Sequence, residues 1–319
     1  MKRISIILFV AVFMLLSCAG CISEEEKMEE KYKLKLHNEV VEVEGLKKDY
    51  EIILIADSHV SLADERDPVA IEDKAISRYN MFRDADANGA DKTFNEMIEY
   101  TKAAGPDLLV LGGDITDSAM YASIEKISEN VDALPFPYIY SMGNHDFEYG
   151  KEYYSEASFS QYLPRFKDVS ATNDGYQIKE FDEFIVFAAD DNNNKFSAKA
   201  LEAFKTVANG EKPVIFVSHM PIEPQTGDTT LWDKTIEVWQ PSATGNSRVL
   251  LGNNSCVPDS VTAEMINLIL AEDSSVVLVL SGHIHFFHRD MLNDKVVQIV
   301  TGAGYEREIV HITLTASST

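Results

Sequence analysis

The chain has 319 residues, with 28 Lys and Arg against 52 Asp and Glu, a formal net charge of −24 and a pI near 4.6. That balance argues against nucleic acid as a partner, because its binding rests on neutralising phosphates with Lys and Arg, and it argues against adsorption to anionic lipid. With 45% hydrophobic residues the chain can bury a large core in one α/β domain. Of three cysteines only Cys256 lies in the body, so the fold there needs no intrachain disulfide.

Lys2 and Arg3 precede an apolar run from Ile4 to Leu16 that is too short for a comfortable bilayer span. Leu15-Leu16-Ser17-Cys18-Ala19-Gly20-Cys21 follows and resembles a bacterial lipobox. The expectation is a signal peptide over 1–21, lipidation at Cys18 or Cys21, and an extracytoplasmic protein held to the membrane through its N-terminal lipid. An ordinary cleaved signal peptide is the alternative. Residues 22–33, rich in Glu and Lys, read as a disordered or loosely helical tether, and 34–319 as the folded domain.

Val40 to Glu44 alternates partly, as an edge strand does. Glu51 to Ala56, Leu108 to Leu111, Phe136 to Ser141, Val214 to Val217 and Val276 to Leu280 are short apolar runs of the kind found in strands buried on both faces. Phe184 to Ala189, Lys295 to Thr301 and Glu308 to Leu314 add further strands. Helical stripes lie between them. The first is Phe94, Met97, Ile98 and Thr101, opened by a Thr93…Glu96 capping box and closed by Gly105-Pro106. The others are Ile124, Ile127, Val131 and Leu134; Leu201, Phe204 and Val207; and Val261, Met265, Ile266 and Ile269. Two excursions break the alternation, residues 61–91 and 226–258, and the second reads as a lid or substrate wall carrying Trp232 and Trp239. Asp84 to Gly89 starts like a calcium loop, but Asn95 stands at the twelfth position where Glu is needed, so a polar turn is the better reading. Asp190 to Asn194 reads as a loop leading into a helix.

Five of the apolar runs end in polar motifs: Asp57-Ser58-His59, Gly113-Asp114, Gly143-Asn144-His145-Asp146, Ser218-His219 and Gly282-His283-Ile284-His285. Ligands bind at the carboxyl ends of strands in open α/β sheets. Carboxylate, amide and imidazole ligands without thiolate suit Zn, Mn or Fe. They are too many for one open metal and about right for two sharing a carboxylate, which is the arrangement that clamps an in-line displacement at phosphorus.

This order of motifs resembles the calcineurin-like metallophosphoesterase family, from about Glu51 to the C-terminus. The resemblance implies a four-layer α/β/β/α sandwich of two mixed sheets and a phosphodiesterase or phosphatase acting on a small phosphoester. It implies two divalent ions (Mn, Fe or Zn) and a metal-bound hydroxide as nucleophile. Asp57, His59 and His285 would hold one metal; Asn144, His219 and His283 the other; Asp114 would bridge. His145 would protonate the leaving oxygen, and Asp146 would orient His145. Asp117 departs from the purple acid phosphatase branch, which has Tyr there and Gly in place of His59, and reads as the cap of a helix beginning near Ser118. His37, His288 and His311 read as structural. A non-catalytic surface lipoprotein that binds a ligand, and a metal-capturing lipoprotein, are the readings from other functional classes.

Overall fold

The structure is a computed structural model that describes residues 24–147, 156–170, 174–191, 194–240, 249–252 and 255–316. The expected signal segment over 1–21 lies outside them. The elements in chain order are α1 (Glu24–Tyr32), β1 (Lys35–Val43), β2 (Tyr50–Ile55), α2 (Val69–Met81), α3 (Ala90–Ala104), β3 (Leu108–Leu111), α4 (Tyr121–Val131), β4 (Tyr138–Tyr140) and α5 (Glu156–Tyr162). There follow β5 (Tyr176–Glu180), β6 (Ile185–Ala189), α6 (Ala198–Phe204), β7 (Val214–Val217), α7 (Thr230–Trp239), α8 (Ser260–Leu270), β8 (Val276–Ser281), β9 (His288–Met291), β10 (Val297–Val300) and β11 (Glu308–Ala316).

Period-two alternation in these strands produces the layers. In β2, Ile53 and Ile55 join Phe94, Met97 and Ile98 of α3 and Ile124 and Ile127 of α4 in one core, while Ile52 and Leu54 face Val186, Ile215 and Leu278 in another. The outward residues of the second sheet, Phe187, Phe216 and Val279, pack with Phe204 of α6 and Met265 of α8. The result is the expected α/β/β/α sandwich of two mixed sheets. One sheet has the order β1-β11-β2-β3-β4 and the other β5-β6-β7-β8-β10-β9. β2, β3 and β4 run parallel, as do β6, β7 and β8, and β1 is an edge strand on β11.

Of the stretch read as a disordered or loosely helical tether, Glu24–Tyr32 is helical, and Met28 and Tyr32, one turn apart, pack on the first core, Tyr32 edge-on to Tyr100. Several other local expectations are corrected. Helix α3 begins at Ala90 behind Gly89, three residues before the expected capping box. Thr93 lies inside it and donates its hydroxyl to the Ala90 carbonyl. Helix α4 starts at Tyr121, and Asp117 caps nothing: its side chain turns inward to the site. Both excursions contain a helix, α2 and α7. The Asp84 turn is structural, its carboxylate taking the Asn88 amides and pairing with Arg307 at 3.0 Å.

Candidate metal centre and acid–base site

Each motif begins where a parallel strand stops, and backbone bonds stitch the strand ends together. Asp57 N–H donates to the Gly113 carbonyl (3.0 Å), His59 N–H to the Asp114 carbonyl (2.9 Å) and Gly282 N–H to the His219 carbonyl (2.9 Å). Asp57, His59, Asp114, His283 and His285 all have left-handed φ, between +50° and +73°. For residues with a Cβ this costs on the order of 1–3 kcal/mol each and persists where surrounding structure over-determines it. Gly113 (φ +91°) and Gly143 leave room for His219; a Cβ on either would run into its imidazole.

These turns deliver two ligand clusters. In the first, His285 Nε2 lies 3.2 Å from Asp57 Oδ1 and 3.2 Å from His59 Nε2. In the second, His219 Nε2 lies 3.0 Å from Asp114 Oδ2 and 3.1 Å from His283 Nδ1. Within each set the donor atoms lie inside 4.8 Å of one another, as metal ligands must. Asp57 Oδ1 joins the two, 4.0 Å from His219 Nε2. His219 Nδ1–H donates to the Gly112 carbonyl (2.8 Å), which leaves Nε2 available to a metal. Asn144 Oδ1 is buried without a hydrogen-bond partner, a costly state for an oxygen that a cation would relieve. The residues present therefore fit divalent ions. Burial works to lower His219, but Asp114 and Asp57 outweigh it and raise the imidazole well above its usual range; burial keeps His59 below.

His145 stands beside the clusters, a quarter exposed, its ring edge-on to His59 at 5.0 Å. The expected partner, Asp146, is engaged elsewhere. Its carboxylate accepts from Asp114 N–H (3.0 Å), Thr116 N–H (2.9 Å), Tyr140 O–H (2.6 Å) and Gly143 N–H (2.8 Å), so it knits two motif loops. Burial and the Asp114 charge push it up to about 6. The carboxylate facing His145 is Asp117, whose Oδ1 lies 3.1 Å from His145 Nδ1 and 3.3 Å from His59 Nδ1. Arg78 holds Asp117 bidentately, Nε to Oδ2 and Nη2 to Oδ1 at 2.7 Å each. Burial works to raise Asp117; Arg78, His145 and His59 more than reverse it, holding it well below the usual carboxylate range. Sequence reading missed Arg78, which lies in a motif-free excursion. The Asp three residues after Asp114 was the available signal for its partner.

Further side chains frame the first cluster. Phe82 stacks on His59 at 3.9 Å, and Tyr305 lies 5.6 Å from His285. The half-buried Trp239, at the end of α7, lies 5.2 Å from His285, with its indole N–H donating to the Ile284 carbonyl (2.9 Å). Asp190 and Asp191, read as loop residues, are buried behind the second cluster, accepting from Met142 N–H (2.9 Å) and Met220 N–H (2.7 Å). Burial raises both to about 7. His288 approaches Asp290 (3.5 Å), and His37 stacks on Phe287.

A family model described as calcineurin-like phosphoesterase matches residues 50–287, most of the chain. The chain belongs to the calcineurin-like phosphoesterase family. It is thus a metal-dependent phosphoester hydrolase, from a family that uses divalent metals. No curated relative matches the sequence. Among solved structures it is similar to a dimetal phosphatase from Danio rerio (13% identity, 83% of this chain and 93% of that one, TM-score 0.52). It is also similar to a purple acid phosphatase from yellow lupin seeds (13%, 87% and 47%, TM-score 0.46), so it spans about half of that chain. A third is a calcineurin-like phosphoesterase, YfkN, from Bacillus subtilis (15%, 81% and 82%, TM-score 0.43). At these identities the zebrafish likeness concerns the calcineurin-like phosphoesterase fold.

Proposed function

We propose that this phosphoesterase cleaves a small phosphodiester or phosphomonoester at a dinuclear centre of Mn, Fe or Zn, outside the cytoplasmic membrane. The observation that carries the dinuclear reading is the pair of ligand clusters joined at Asp57 Oδ1, with His145 alongside. Asp57, His59 and His285 would hold one ion and Asn144, His219 and His283 the other, with Asp114 shared. When bound, two such ions supply charge stabilisation at phosphorus and a water of lowered pKa.

The remaining work falls to side chains. His145 faces Asp117 through Nδ1, so Nε2 is the atom turned to substrate, and from there it protonates the leaving oxygen. Asp117 fixes the ring and stabilises its charged form. The net charge of −24 favours a small ester over a polyphosphate. Support for the location comes from the lipobox-like Leu15 to Cys21; among the described residues no helix is long and apolar enough to cross a membrane.

The test is hydrolysis of bis-p-nitrophenyl phosphate against p-nitrophenyl phosphate, metal-stripped and then reloaded with Mn, Fe or Zn, beside His145→Ala and Asp114→Asn. Metal-dependent turnover is expected, lost in Asp114→Asn; His145→Ala should lose turnover of an alkyl phosphoester, which needs its leaving oxygen protonated, more than that of the p-nitrophenyl compounds, and the preferred compound separates diesterase from monoesterase. Two bound metals with no turnover of either compound would favour a ligand-binding role; no bound metal would overturn the reading.

A further inference from the structure

Helix α2 belongs to the excursion between the first motif and α3, yet its last turns reach the site from behind. Arg78 lays a planar fork on Asp117, with both nitrogen–oxygen distances at 2.7 Å. The same Nη2 comes within 3.2 Å of His145 Nδ1. The Arg78 guanidinium lies over the Phe82 ring at 4.6 Å, and Phe82 in turn stacks on His59 at 3.9 Å, tilted by only 7°. One helix end therefore supports His59 by its face and, through Asp117, both His59 and His145 by their Nδ1 edges.

We propose that Arg78 is a positioning residue for the hydrolytic reaction: through Asp117 it sets the ring orientation of His59 and His145, so that both present Nε2 to the reacting centre. This rests on the hydrolase reading above. Oδ1 of Asp117 is asked to serve two imidazoles at 3.1 and 3.3 Å, and a carboxylate free to rotate would hold neither well. A bidentate guanidinium removes that rotation; a lysine ammonium, as a point charge, does not. Simple neutralisation of a buried Asp would need neither the fork nor the approach to His145.

Two measurements on the full chain test this. The first needs no metal and no turnover: ring ¹⁵N spectra of the metal-free protein with Arg78→Gln, Arg78→Lys, Asp117→Asn and the Gln/Asn double variant, with thermal melts to verify folding. Expected are altered His59 and His145 Nδ1 signals in every variant, an unaltered His219 signal, and no further change in the double variant. The second compares metal-loaded turnover of an aryl and an alkyl phosphoester. Arg78→Gln and Arg78→Lys should lower kcat for the alkyl ester, which needs its leaving oxygen protonated, by about 10–100-fold. For the p-nitrophenyl ester the loss should be under about threefold, with KM nearly unchanged. Wild-type ¹⁵N signals in a folded Arg78→Gln protein would overturn the proposal, as would equal losses on both esters. If the wild type turns over nothing, the hydrolase reading fails while the spectra still decide Arg78.

Discussion

On the Asp114–His219–His283 side, support comes from the strand ends themselves. The Gly112 carbonyl fixes His219, Gly113 and Gly143 make room for it, and the buried Asp190 and Asp191 tie down the Met142 and Met220 amides next to the proposed ligands. On the Asp57–His59–His285 side, support comes from segments between the strands. Arg78 acts through Asp117, Phe82 stacks on His59, and Trp239 and Tyr305 flank His285. Main-chain support cannot vary without moving the sheets, whereas helix and loop side chains can. Metal retention should therefore depend more on the second side, that of Asp114, His219 and His283, and the geometry offered to the ester on the first, that of Asp57, His59 and His285.

The largest expected effect falls where the sides meet. Asp114→Asn removes the carboxylate proposed to be shared between the two ions, and kcat should drop by about a thousandfold, the scale of losing several kcal/mol of charge stabilisation. Metal analysis should show fewer than two ions per chain. If both ions stay bound, Asp114 is not shared and the sides are independent.

Next comes the glycine cradle of the second side. Gly113 and Gly45 have nearly the same φ, +91° and +92°, but a Cβ meets His219 at the first and nothing within 4 Å at the second. Gly45→Ala should cost about 1–2 kcal/mol of left-handed strain, and Gly113→Ala about 1–3 kcal/mol more from overpacking. Denaturant titration of both reads the cradle by difference; equal losses would mean that His219 yields freely and that this side is softer than argued.

The same contrast explains how much could be read from the chain alone. Strands ending in Asp57, Asp114, Asn144, His219 and His283 announce themselves as apolar runs stopped by ligand-type residues, so the sandwich and the clusters were legible. Asp146 was misread because adjacency to His145 suggests a pair. A 3₁₀ turn, His145–Phe147, instead buries Asp146 under five donors while His145 stays at the surface. Asp117 read as a cap because Ser118 to Tyr121 looks like a helix start; its real partners, Arg78 and His145, are 39 and 28 positions away in sequence. Helix α7 was hidden by length, its ten residues burying only Leu231 and Thr235 fully.

A smaller effect separates the sides by pH. Asp190 is raised to about 7, first by burial and then by Asp191 and Asp146. A carboxyl harder to ionise folded than unfolded stabilises the fold fully below its unfolded value near 4, and that contribution disappears as pH rises through about 7. Asp190→Asn should therefore flatten the fall in stability of the metal-free chain between pH 5 and 8. The variant should gain about 1–3 kcal/mol on the wild type across that range. A parallel pair of curves would mean that Asp190 is ionised in the fold, and the support on this side would then be ionic.

The smallest effect tests the side-chain half of the comparison. Trp239 is pinned by its indole N–H on the Ile284 carbonyl, one residue before His285. Trp239→Phe keeps a ring beside His285 but loses that bond, whose net value is about 0.5–1.5 kcal/mol. If α7 shapes the ester's surroundings, KM for an aryl diester should rise by about two- to tenfold while kcat and metal content hold, because the ring would drift from the wall and leave the ligands in place. A fall in bound metal instead would assign the indole to holding His285, which would make the first side a metal-retaining one too and erase the division of labour between the clusters.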